Sequence, residues 1–101
     1  MNVQRALLAQ MAAKLSPARV SVVSANSRSW ASVTFCGERH EFTLLVEGEH
    51  AENVVQVFEQ TLECIDFNIS GNLVADIAIH NINRDAQATR LDIEALTVIT
   101  D

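Results

Sequence analysis

Residues 36–42, with the sequence CGERHEF, hold the densest group of reactive side chains in the chain. They supply a thiol, two carboxylates, an arginine and an imidazole. A cysteine and a histidine can act as a nucleophilic pair when their side chains lie within hydrogen-bond reach. The same segment contains Gly37 followed by Glu38, and a glycine in this place favours a two-residue type II′ hairpin turn. The segment is therefore either a reactive site or the tip of a hairpin.

The alternation of side chains along a strand decides between these two interpretations. A turn at residues 37–38 places His40 opposite Phe35 on one face of the hairpin and turns Cys36 to the other face. The sequence therefore predicts a hairpin tip and no catalytic residue. His40 is interpreted as a core histidine whose neutral ring bonds a backbone carbonyl, because buried polar groups are normally hydrogen-bonded.

Two sets of side chains remain as alternatives in which the chain binds a ligand. In the first, a small molecule is held with polar contacts from His40, Glu41 and Cys64, together with a modest hydrolase or isomerase activity. In the second, a divalent cation is held by oxygen ligands and one imidazole on the outer face of the last predicted hairpin. This set consists of Asp76, His80, Asp92 and Glu94. Flat strands rarely make side chains converge, so the sequence favours a solvated acidic face, and no cofactor is expected.

Several apolar residues alternate onto the sheet face that is otherwise polar. An exposed patch of such residues indicates an interaction surface, and tryptophan is enriched in the energetically important parts of interfaces. The sequence therefore predicts an interface with a second copy of the chain or with another protein. The predicted interface residues are Trp30, Leu45, Val74, Leu96 and Val98, with Ile82 on the same face.

The periodicity predicts one α+β domain over residues 1–101. Apolar residues three and four positions apart indicate amphipathic helices over residues 2–15 and 49–63. Three alternating segments follow each helix, which gives the order α-β-β-β-α-β-β-β and two halves of similar pattern. The predicted architecture is a two-layer sandwich, an antiparallel sheet of about six strands with both helices on one face.

The strand boundaries come from turn signals between the alternating segments. Turns are predicted at residues 26–27, 37–38 and 70–72. A separate strand is predicted over residues 65–69, and residues 83–88 are predicted to form a polar loop.

Composition and the absence of known motifs disfavour several classes of function. The chain has 101 residues and a net charge of −6, and its seven lysines and arginines are scattered, which disfavours nucleic-acid binding. The two cysteines are too few for a disulfide framework. No apolar run is long enough to cross a membrane or to serve as a secretory signal. The sequence therefore predicts a cytoplasmic protein. Phosphate-binding, zinc-protease and nucleophile-elbow motifs are absent. The sequence thus favours a small non-catalytic interaction domain, expected to be a homodimer or to bind another protein.

Overall fold

A computed structural model describes residues 2–85 and 87–100, and within these the chain forms two α-helices and one sheet of four antiparallel strands. The order of elements is α-β-β-α-β-β. The elements are α1 (Val3–Lys14), β1 (Arg19–Ala31), β2 (Cys36–Glu47), α2 (Ala51–Thr61), a short 3₁₀ turn (Leu62–Cys64), β3 (Asn72–Arg84) and β4 (Ala88–Ile99).

The strands lie in the order β1-β2-β4-β3, so the last strand of each half is central and the first is at an edge. Both helices pack on one face, where they bury Leu7 and Met11 of α1 and Val55 and Phe58 of α2. The sheet contributes to this core the inward side chains of its two central strands. They are Phe42, Leu44 and Val46 of β2 and Leu91, Ile93 and Ala95 of β4.

The predicted α+β class, the antiparallel sheet and both helices on one face are confirmed, but six strands and eight elements are wrong. Each half has a helix and two strands. The reason is strand length: β1 and β3 each have 13 residues and run through positions that resemble turns in the sequence. The supposed turn at residues 26–27 lies inside β1, where Ser27 pairs with His40 of β2.

The turn predicted at residues 37–38 is also wrong. Gly37 lies within β2, opposite Trp30 of β1 and Val98 of β4. The strands are instead joined by residues 32–35, where Phe35 N–H donates to Ser32 Oγ at 3.1 Å. Gly37 meets a different requirement, because a Cβ at this position would overlap the backbone carbonyl of Thr97.

The segment of residues 65–69 is not a strand. It crosses from the 3₁₀ turn to β3 and has a single bridge, between Ile69 and Asn72. Its alternation arises because Ile65 and Phe67 pack partly against the core while the intervening Asp66 faces solvent. The loop predicted at residues 83–88 is shorter than expected, since β3 continues to Arg84, and its residue 86 lies outside the described residues.

Candidate interaction surface

The two faces of the sheet differ because both helices lie on the same side. We call the uncovered side the open face and assign its residues from the strand register and the alternation of buried side chains. On the central strands, inward residues such as Phe42 and Ile93 are buried, whereas the neighbouring Thr43 and Asp92 are only half-buried. The open face thus comprises Arg19, Ser21, Ser24, Asn26, Arg28 and Trp30 of β1, Gly37, Arg39, Glu41, Thr43, Leu45 and Glu47 of β2, Ala88, Arg90, Asp92, Glu94, Leu96 and Val98 of β4, and Leu73, Asp76, Ala78, Asn81 and Asn83 of β3.

One end of the open face is apolar, and we call Trp30, Leu73, Leu96 and Val98 the apolar end. Register places Trp30, Gly37, Val98 and Leu73 in one row across the four strands. The indole N–H of Trp30 donates to the carbonyl of Thr97 at 3.2 Å, two strands away. The ring must therefore cross Gly37, which has no side chain to obstruct it. Leu73 is 58% exposed at the end of this row.

The middle of the open face carries charged groups that largely pair with one another. Arg28 lies 3.6 Å from Glu41, and Arg39 forms a hydrogen-bonded ion pair with Glu94. The Asp76 carboxylate differs from these groups, since it makes no hydrogen bond or ion pair with any residue in 2–85 or 87–100.

The open face is close to neutral although the chain is acidic. It carries four of the chain's basic residues and five carboxylates, and hence a net charge of −1 out of −6. The remaining negative charge lies elsewhere, largely on and around α2. The charged residues of the open face are Arg19, Arg28, Arg39, Arg90, Glu41, Glu47, Asp76, Asp92 and Glu94.

His40 lies on the opposite, helix-covered face and is fully buried. Thr97 Oγ1 donates to the Glu38 carbonyl at 3.3 Å, which leaves it to accept from His40 Nε2–H at 3.0 Å. The Nδ1 atom then accepts from the Ser27 hydroxyl at 2.6 Å, while the Gln4 amide donates to the same Ser27 oxygen at 2.8 Å. Each hydroxyl donates once and accepts once, which assigns the Nε2–H tautomer to a neutral ring.

This network is a satisfied core rather than a nucleophile with its base. Burial lowers the pKa of His40, and the nearby Glu38 carboxylate opposes that effect more weakly. A histidine that resists protonation is a weak base for Ser27. The second ring nitrogen bonds a threonine, whereas a catalytic triad has a carboxylate there to stabilise the imidazolium. The interpretation of His40 as a core histidine thus has geometric support, although its partners are hydroxyls and not the expected carbonyl.

The other members of the predicted small-molecule set lie apart from His40. Glu41 follows it in β2 and therefore points to the open face, where it pairs with Arg28. Cys64 is exposed at the end of the 3₁₀ turn that follows α2. The partners of the His40 ring are Ser27 and Thr97, so the structure does not assemble the predicted set around one ligand.

The predicted metal-binding residues come only partly together. His80, at a bulge of β3, joins Asp92 and Glu94 of the open face in lining a shallow groove of about 280 Å³, and its Nε2 atom lies 3.6 Å from Glu94 Oε2. Asp92 instead accepts a hydrogen bond from Thr43 at 2.8 Å. Across the described part of the chain, no three histidine, cysteine, aspartate or glutamate side chains are arranged to hold a metal ion. The metal site stays a prediction without geometric support.

Four of the five predicted interface residues lie on the open face: Trp30, Leu45, Leu96 and Val98. Val74 packs instead against the core, as does Ile82. Bulges at Ala75 and His80 break the alternation of β3, so simple counting assigns the wrong face to its residues. The bulge at Ala75 also means that simple counting does not place Leu73 on the open face. Leu73 is therefore an interface candidate that the sequence did not indicate.

No known family model matches this sequence, and no curated protein is significantly similar to it. In the described residues, neither helix has the length and apolar character needed to cross a membrane.

Proposed function

We propose that the protein is a non-catalytic self-association domain whose open face packs against another copy of the chain. The observation that carries the proposal is the apolar end, where Trp30, Leu73, Leu96 and Val98 gather on a sheet face that no helix covers. Large apolar side chains grouped on a surface favour a partner that removes them from water.

The size of the open face supports this proposal. Four strands about 4.8 Å apart, each of some 12 residues rising about 3.3 Å per residue, present roughly 750 Å² on one side. A stable protein interface buries about 800 Å² on each partner. The open face is therefore large enough for a specific dimer.

The distribution of charge also favours self-association through this face. Two molecules of net charge −6 repel each other, and the repulsion is greatest when their acidic surfaces meet. The open face carries little of that charge, and most of its ionised groups already have partners of opposite sign on the same sheet. Contact through it adds little electrostatic cost.

The proposal is tested by placing a charge in the apolar end and the same charge on the helix side. Leu73→Glu removes an exposed leucine of the open face. Val57→Glu is the matched control, because Val57 on α2 is 59% exposed and Leu73 is 58% exposed. We expect sedimentation equilibrium to give a dimer for the original protein and for Val57→Glu, and a folded monomer for Leu73→Glu.

Two results would contradict the proposal. One is that the original protein is a monomer at concentrations near 100 µM. An interface of standard size commonly gives a dissociation constant of about 1 µM or below, so a dimer should be fully formed at that concentration. The other is a dimer that tolerates Leu73→Glu as well as Val57→Glu. Circular dichroism of each variant reports whether the fold is intact.

A further inference from the structure

We propose that the two copies are related by a two-fold axis that runs along the strands, midway between β2 and β4, in the plane between the two open faces. This arrangement rests on the proposed function and specifies which residues meet. It lays β1 of one copy over β3 of the other, and β2 over β4. Face-to-face sheets whose strands are nearly aligned are a common packing, and two-fold symmetry is the commonest form of a homodimer.

The register of the sheet decides which side chains face each other under this rotation. The row that ends the sheet runs Trp30, Gly37, Val98, Leu73, so its two outer members exchange places. Trp30 then lies over Leu73 of the partner subunit, and Gly37 over Val98 of the partner subunit. The apolar end of one copy thereby covers the apolar end of the other.

The next row supplies charge complementarity. It runs Arg28, Arg39, Leu96, Asp76. The same rotation places Arg28 over Asp76 of the partner subunit, and this contact occurs twice in the dimer. Asp76 has no partner within the described residues of its own chain, and Arg28 holds only a long, exposed contact with Glu41. The arrangement thus gives Asp76 the partner that it lacks in the single copy.

The rest of the charged middle is compatible with this packing. Glu41 comes to lie over Glu94 of the partner subunit, and the repulsion between these carboxylates is offset by Arg39, which is hydrogen-bonded to Glu94 in each copy. A two-fold axis across the strands at the centre of the face is less favourable. It places the apolar end over the opposite end of the partner's face, which holds Ser21, Arg90 and Asn83 around Leu45.

The pairing of Arg28 with Asp76 can be tested in trans, by mixing two variants that each fail alone. In Arg28→Glu, both contacts of the homodimer become repulsive carboxylate pairs. In Asp76→Arg, both become repulsive arginine pairs. In a mixed dimer of the two variants, the new glutamate faces the new arginine at one contact, and the original Asp76 faces the original Arg28 at the other. Both contacts of the mixed dimer are then attractive.

We expect native mass spectrometry and sedimentation to show that each variant alone dimerises at least about tenfold more weakly than the original protein, since like charges brought together oppose association. The equimolar mixture is expected to recover affinity to within about threefold, as a heterodimer identified by its mass. Two exposed helix residues provide matched controls: Arg5→Glu on α1 and Glu52→Arg on α2. Neither control should weaken the homodimer.

The experiments distinguish a wrong two-fold axis from the absence of a dimer through the open face. If Leu73→Glu dissociates the dimer but the mixture of Arg28→Glu and Asp76→Arg binds no better than either variant alone, the open face is the interface and the two-fold axis is wrong. If the original protein is monomeric, both proposals fall. Equal weakening by Arg5→Glu and Arg28→Glu would show an effect of net charge alone and would overturn the pairing.

Discussion

At the scale of single residues, the most distinct feature is a network of hydrogen bonds through His40, in which each group donates to the next. It begins at the Gln4 amide of α1, passes through Ser27 and His40, and ends through Thr97 at a backbone carbonyl of β2. The network connects the first helix to three strands, and each polar group on it has a partner. The ring also stacks on Phe42, with centroids 5.9 Å apart and planes 4° apart.

The lowered pKa of His40 predicts a pH dependence of stability. Above the ordinary histidine pKa of 6.5 the ring is neutral both folded and unfolded, so stability does not change with its titration. As pH falls below 6.5, the unfolded chain takes up a proton before the folded chain does, which lowers the free energy of unfolding until the folded pKa is passed. We therefore expect the original protein to lose more stability than His40→Leu between about pH 7.5 and about pH 5.

Urea unfolding at both pH values measures this difference. The variant retains His50, His80 and every carboxylate, so their contributions are common to both proteins. Parallel losses of stability in the two proteins would show that His40 does not account for the pH dependence.

At the scale of elements, the strands were harder to predict than the helices. The apolar spacing located both helices to within a few residues, because a helix buries one stripe whatever it packs against. The strand β1 contains the segment Ser24-Ala25-Asn26-Ser27, whose polar residues resemble a turn. It remains a strand because Ser27 is bonded inward to His40 and Gln4, and these contacts depend on residues far away in the chain.

Gly37 provides a test of how closely β2 and β4 approach. A methyl group at this position would overlap the Thr97 carbonyl, so Gly37→Ala must push apart two central strands. We expect the free energy of unfolding to fall by about 1–3 kcal/mol, the usual cost of overpacking. Cys36→Ala, at the exposed neighbouring position, should change it by less than about 0.5 kcal/mol. Urea unfolding that gave both variants equal stability would contradict this close approach.

At the scale of the whole molecule, the protein is a sheet covered by helices on one side only, and the self-association that we propose covers the open face. A dimer that unfolds to two separate chains is stabilised by mass action, so its melting temperature depends on concentration. For the original protein, a hundredfold increase in concentration should raise Tm by on the order of 5 °C. The shift should persist in Val57→Glu and disappear in Leu73→Glu. Calorimetry at several concentrations measures it, and an unchanged Tm for the original protein would contradict the proposed assembly.

The sequence by itself determined the α+β class, both helices and the inward face of β2, because these depend on local periodicity. It also indicated Trp30, Leu45, Leu96 and Val98 as outward apolar residues. The tertiary structure decided the number of strands, the role of Gly37 and the faces of Val74 and Leu73. The physical reason is that bulges, inward hydrogen bonds and close strand contacts join residues distant in the chain, and a local pattern carries no information about their distant partners.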